Sequence, residues 1–365
     1  MDFSGDGEMQ SRERFITALN HGTPDRVPVY DFLFSQKLLK KMLGFNTPLY
    51  DGASQVKLAS KLGLDGLFLP INGYCGFEDE PHKPGETFVD EWGVTYVNNG
   101  WPIMVQTDVA LKTRADWEKY KMPPVEAPHR LNIINDGIKA NSDNNIALIA
   151  GFLGPFTMAY WYFFDLAALS LLIYDDPAFI QEVNDSYVDW ALKAVQYTYD
   201  NGNIDAFMIA DDWGGTTSLL MSPKHLRELF IPPFRKIVQG MKSFGLPVIM
   251  HNDGRLHDVI GDLVDTGIDG YHPVERAAGM DLGDIKSRFG RTLCPVGNIN
   301  NKTTMVTGSV DDVEKEAREC IQTAGPGGGY ILSTDHSLHD DIPFENITTY
   351  INCAEKYGKY PILGI

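Results

Sequence analysis

The sequence predicts an α/β protein: a (β/α)8 TIM barrel with an N-terminal extension and a β-hairpin insertion after its second strand. Three observations carry that expectation. Eight short, almost uninterrupted apolar runs recur along the chain, as strands buried on both faces require. Helical patterns separate most of them, which argues for a parallel sheet. Eight repeats favour closure over an open doubly wound sheet, and no Gly-x-Gly-x-x-Gly fingerprint follows the first run.

The runs are RVPVYDF (26–32), DGLFLP (65–70), IALIAGF (146–152), DAFMIAD (205–211), LPVIMH (246–251), GIDGYH (267–272), RTLCPVG (291–297) and GGYILS (328–333). The helix after strand three has an acidic first turn and closes on Asn201-Gly202. That after strand four opens on Ser222-Pro223 and is broken or kinked by Pro232 and Pro233. Segment 71–145 is too long for one connection. Within it, FVDEWGVTYVNNGWPIMVQT predicts a hairpin around Asn98-Asn99-Gly100 that crosses the barrel mouth. The polar, acidic residues 1–10 read as a flexible tail, leaving 11–365 as a single barrel domain.

A chain of 365 residues, 43% hydrophobic and 22% charged, holds enough apolar material for one large core. No run of 18 or more apolar residues occurs, so no membrane partner is expected. The N-terminus lacks a signal-peptide pattern, and the four cysteines show no Cys-x-x-Cys spacing; both predict a cytoplasmic protein. A formal net charge of −18 repels phosphate backbones, which excludes nucleic acid as an expected partner.

Polar residues gather where the runs end, the face on which barrels of this kind carry their sites. They are Asn72 after strand two, Asp211 and Asp212 after strand four, and His251 and Asp253 after strand five. His272 and Glu275 follow strand six, Asn298 and Asn300 strand seven, and Asp335, His336 and His339 strand eight. In extended backbone residues i and i+2 share a side, so His251 and Asp253 could address one ligand. With ~4.8 Å between strands and ~36° of tilt the barrel radius is roughly 7–8 Å. A group from strand eight could then meet them near the axis. Two imidazoles and a carboxylate suit Zn²⁺, or Fe²⁺ or Mn²⁺ with open positions. The pair could equally hydrogen-bond each other and loop amides. Asp211-Asp212 could be an acid/base pair, although consecutive side chains at a strand end face opposite ways, so one is expected to point inward. Gly-Pro-Phe-Thr (154–157) reads as a helix start, and the aromatic run 158–164 could pack a helix or wall an apolar pocket.

Several of these stretches also resemble a known family. SRERFITALNHGTPDRVPV at the start, GFLGPFTMA at strand three, DDWG at strand four and MHNDG at strand five are similar to the uroporphyrinogen decarboxylase superfamily. PVGNI at strand seven and GGYILSTDHSLHDDIPFENI at strand eight continue the resemblance, which runs from about residue 11 over nearly the whole chain. The superfamily implies a (β/α)8 barrel and two chemistries: decarboxylation of uroporphyrinogen acetates, and zinc-dependent methyl transfer to or from corrinoid proteins or thiols.

Departures from the pattern separate the two. Decarboxylases carry an arginine-rich loop after the first strand and an aspartate after the second. Here the first position reads DFLFSQKLLKK, with no arginine between Arg26 and Arg114, and Pro70 stands where the aspartate would align. Arginine forks are what bind a polycarboxylate tetrapyrrole. The methyltransferase branch holds zinc with His-x-Cys after strand five and Cys after strand eight. The matching positions here are His251-x-Asp253 and His336, all metal-competent.

The resemblance therefore implies an enzyme moving a methyl group between a small O-, N- or S-methyl substrate and a corrinoid protein or thiol. His251, Asp253 and His336 would hold Zn²⁺, and a partner protein would carry the corrinoid. Asp211, Asp212 and Glu275 are the expected catalytic groups. Asn72, Tyr74, Phe156 and Trp213 are expected to contact substrate, as are His272, Asn298 and His339. The alternatives are a uroporphyrinogen decarboxylase-like activity and a non-catalytic binding barrel.

Overall fold

The protein is described by a computed structural model covering residues 8–73, 82–99 and 104–362. Seven of the eight expected strands form one parallel sheet: Gly66–Pro70, Ala147–Leu153, Ala206–Ala210, Val248–His251, Gly270–His272, Cys294–Ile299 and Ile331–Thr334, each beside the next. The first run closes the ring. Val29 bridges Leu332 and Tyr30 bridges Gly66, both in parallel, so the sheet's two edges meet across it. This strand is short for a local reason. Pro28 has no amide N–H to donate, and the Val29 N–H turns aside to the Asp65 carboxylate (2.8 Å). The eight-stranded barrel read from the sequence is thus the observed architecture.

Alternate residues point inward and outward, giving two apolar layers. Tyr30, Ala147, Ile149, Met208, Ile249, Val296 and Ile331 fill the barrel interior. A larger set packs the outer helices on the sheet, among them the long helix Pro177–Asn201. The N-terminal extension is helix Ser11–Leu19, which stoppers the bottom of the barrel. Phe15 packs against Tyr30 (ring centroids 5.9 Å) and fits because residue 66 is glycine: a Cβ there would stand 2.6 Å from its ring. Arg14 and Arg26 clamp the buried Asp65 from two sides, at 2.7 and 2.9 Å. That ion pair network is the physical content of the RERF…PDRVPV stretch.

Two expectations change. Residues 1–7 lie outside the described part, but within the expected tail Met9 is docked: its N–H donates to Asp25 (2.9 Å) and its carbonyl accepts from Arg14 (2.6 Å). The insertion after strand two does hold the expected hairpin, Thr95–Val97 against Val105–Asp108, but adds a strand to it. Thr87–Val89, Thr95–Val97 and Val105–Asp108 form a three-stranded antiparallel sheet. The extra reversal is built on Asp90, whose carboxylate accepts from the N–H groups of Trp92 and Val94 (2.9 and 2.8 Å), an Asx-type turn. Gly100, at the expected hairpin tip, lies outside the described residues.

The proline pair after strand four does interrupt its helix. A π-helical turn, Leu226–Phe230, precedes helix Ile231–Lys242, because Pro232 and Pro233 supply no N–H to the preceding carbonyls. Among the described residues no single helix is long and apolar enough to cross a membrane.

Candidate active site at the barrel mouth

Strand four ends on two acids that the backbone sends different ways. Asp211 is fully buried and accepts from the Thr157 N–H (2.7 Å) and the Trp213 indole N–H (2.8 Å). The helix start at Gly154–Thr157 thus turns an amide N–H onto the chain's own Asp211 carboxyl group. Gly154 is required there, since a Cβ would come 2.3 Å from the Asp211 carboxyl carbon. Burial pushes Asp211 up to about 7. Asp212 turns the other way, toward strand five, where one oxygen accepts the Asp253 N–H (2.9 Å).

Strand five ends in His251-Asn-Asp253. Single ligand atoms of Asp212, His251 and Asp253 lie within 4.8 Å of one another. His251 is buried against Phe32, and its Nδ1 lies 2.8 Å from Nδ1 of His272, so its Nε2 is left facing the carboxylates. That Nε2 stands 3.8 Å from Asp253 Oδ1, too far for a hydrogen bond. Among the described residues Asp253 Oδ1 is buried with no hydrogen-bond donor, and Asp253 Oδ2 lies 3.4 Å from His336 Nε2, arriving from strand eight. Asn252 braces the corner by accepting the Trp213 N–H (2.6 Å).

The electrostatics describe a site short of positive charge. Burial, and then the neighbouring Asp253, push Asp212 well above the usual carboxylate range. Burial also works to raise Asp253, but His251 and His336 outweigh it and hold it low. Burial would lower His336, yet Asp253, with Asp212 and Asp335 behind it, leaves it raised. A dication among these atoms would satisfy the unpartnered oxygen, accept the free imidazole lone pair and relieve the repulsion between the acids. The donor set of one or two imidazoles with carboxylates fits Zn²⁺, Fe²⁺ or Mn²⁺.

Above this cluster opens a cavity of about 480 Å³ bordered by Phe34, Thr216, Asp253, Glu275, Asn301, Lys302, Asp335, His336 and His339. Glu275 reaches the cavity while accepting the Gly254 N–H (2.6 Å), which ties it to the Asp253 loop. His339 is held by the Asn301 side chain (2.9 Å). Asp335 accepts the Asn301 N–H (2.7 Å), and burial raises it to about 6.

The other residues expected to touch substrate have buried side chains and structural partners. Asn72 accepts from the Ile133 N–H (3.1 Å), and its carbonyl receives the buried Arg130, which also pairs with Glu91. Phe156 packs on Phe230. Trp213 anchors Asp211, Asn298 braces the Val274 carbonyl (2.9 Å), and His272 backs His251. Tyr74 lies outside the described residues. Asp31, not among the residues expected from the sequence, is a further buried acid near the mouth. It accepts from the N–H and hydroxyl of Thr334 (3.1 Å each) and from the Tyr350 hydroxyl (3.0 Å). Its signal was available: a lone acid within the apolar run RVPVYDF.

The uroporphyrinogen decarboxylase (URO-D) family profile matches residues 93–357, more than half of the chain. The chain belongs to this family. Its curated relatives are distant. A uroporphyrinogen decarboxylase of Pseudoalteromonas atlantica is 25% identical over 252 residues, covering 65% of this chain and 66% of that one. One of Vibrio vulnificus is 23% identical over 374 aligned residues, covering 95% and 97%. Among solved structures, a methyltransferase from Methanosarcina mazei superposes with a TM-score of 0.76 at 19% identity, covering 96% of this chain and 99% of that one. At that identity the likeness is one of fold. It extends the family's barrel over the N-terminal region that the profile leaves out.

Proposed function

We propose that the protein transfers a methyl group between a small O-, N- or S-methyl substrate and a corrinoid protein or thiol, with a divalent metal at the barrel mouth. The observation that carries this reading is the chemistry of the mouth. The His251 Nε2, the unpartnered Asp253 Oδ1 and an Asp212 oxygen converge beneath a cavity whose described lining has the lysine Lys302 and no arginine. Such a lining suits a small neutral or cationic ligand and repels a polycarboxylate, which needs arginine forks. The fold likeness to a methyltransferase supports the same side.

His251 Nε2, Asp253 and Asp212 would hold the metal, with His336 as the group arriving from strand eight. When bound, Zn²⁺ would act as a Lewis acid on the heteroatom that carries the methyl group. Glu275, fixed by the Gly254 amide, borders the space where the leaving group would sit and orients it. Asp211, with both oxygens engaged, positions the strand-four corner so that Asp212 faces the metal. Phe34 supplies the apolar wall.

The test is a panel of methylated compounds given to the zinc-loaded protein with free cob(I)alamin, following the absorption change to methylcobalamin. At least one donor is expected to react with the wild type and none with His251→Ala. Decarboxylation of uroporphyrinogen by metal-stripped protein would instead support the chemistry of the curated relatives. A His251→Ala, His336→Ala protein that binds small molecules like the wild type would support a non-catalytic barrel.

A further inference from the structure

His272 is completely buried, yet its ring nitrogens are not idle. Nδ1 faces Nδ1 of His251 at 2.8 Å, and Nε2 faces the Ser333 hydroxyl at 3.4 Å. Tyr30 and Phe32 press their rings edge-on against it, at centroid distances of 5.5 and 5.0 Å, and Phe32 does the same to His251. Both imidazoles are therefore held in one orientation by packing.

We propose that His272, backed by Ser333, is a positioning residue whose Nδ1 accepts the His251 Nδ1–H whenever His251 Nε2 offers its lone pair to a metal. This rests on the metal-dependent reading above. The argument is one of hydrogen count. A contact between two imidazole nitrogens at this distance needs one N–H and one lone pair, and a neutral imidazole carries one of each. Two arrangements satisfy it. In the first, His251 Nδ1–H donates to His272 Nδ1, His272 Nε2–H donates to Ser333 Oγ, and His251 Nε2 is bare. In the second every proton moves over: Ser333 donates to His272 Nε2, His272 Nδ1–H donates to His251, and His251 Nε2 carries a proton and cannot ligate. The carboxylates of Asp212 and Asp253 attract a cation to the Nε2 side, which selects the first arrangement on loading. His272 thus takes the place that a carboxylate or backbone carbonyl takes behind most metal-bound histidines.

The test uses the full chain, with Zn²⁺ affinity and ¹⁵N imidazole shifts as readouts. In zinc-loaded wild type, His251 is expected to carry its proton on Nδ1 and His272 on Nε2. His272→Leu is expected to weaken Zn²⁺ binding about 10–100-fold. His272→Asn, which returns an acceptor near the same place, is expected to recover most of that loss. Unchanged affinity in a folded His272→Leu protein would overturn the relay while leaving the metal reading intact. A proton on His272 Nδ1 in the zinc-loaded wild type would overturn it whether or not the variants fold. Wild type that takes up no Zn²⁺ would overturn both.

Discussion

Asp31 shows what one buried acid does in a barrel wall. Among the described residues its partners are the donors of Thr334 and Tyr350, with His336 acting at longer range, and burial raises it to about 7. The folded chain therefore keeps this proton where the unfolded chain has released it. Its stabilising contribution is complete below about pH 4 and is lost as pH rises toward 7. At about 1.36 kcal/mol per pH unit the total is on the order of 4 kcal/mol. Urea unfolding of wild type and Asp31→Asn at several pH values should show the wild type losing stability relative to the variant across that window. Parallel curves would mean that Asp31 is ionised in the fold at neutral pH.

At the scale of elements, the mouth depends on two loops that touch backbone to backbone. Gly254 has φ +90°, and a Cβ on it would lie 2.3 Å from the Gly214 carbonyl carbon. Gly254→Ala is expected to cost about 2 kcal/mol in urea unfolding and to loosen the Asp253 corner. Gly261, inside helix Ile260–Val264 with open space around it, is the contrast. Its change to alanine should stabilise by about 0.5–1 kcal/mol. Equal effects at the two sites would show that the loop contact carries no constraint. The strands were legible because a strand buried on both faces has to be apolar throughout, and each predicted run holds an observed strand or bridge. The insertion was less so, because its first reversal rests on Asp90 folding back on its own backbone, a short-range bond that hydrophobic patterning does not register.

The same distinction runs through the site. That His251, Asp253 and His336 come close together was readable, because i, i+2 spacing and barrel curvature bring strand-end residues toward one axis. Which of Asp211 and Asp212 joins them was not, since that choice is made by Thr157, in the helical turn after strand three, and by the Trp213 indole, both brought to Asp211 only by the closed fold. Asn72, Phe156, Trp213, His272 and Asn298 follow strands closely in sequence but are buried and do not border the cavity, and sequence gives position along a strand rather than depth.

For the whole molecule, a metal that binds only the folded barrel adds its binding energy to stability. At a free concentration about a hundredfold above its dissociation constant the gain is about 2.7 kcal/mol. Chelation should therefore lower the melting temperature of wild type and leave His251→Ala unmoved; equal shifts in both would place the metal elsewhere. The most direct measurement is elemental analysis of the purified wild type beside His251→Ala. The account predicts close to one Zn²⁺, Fe²⁺ or Mn²⁺ per wild-type chain and little in the variant. Metal absent from both, or retained equally by both, would contradict it.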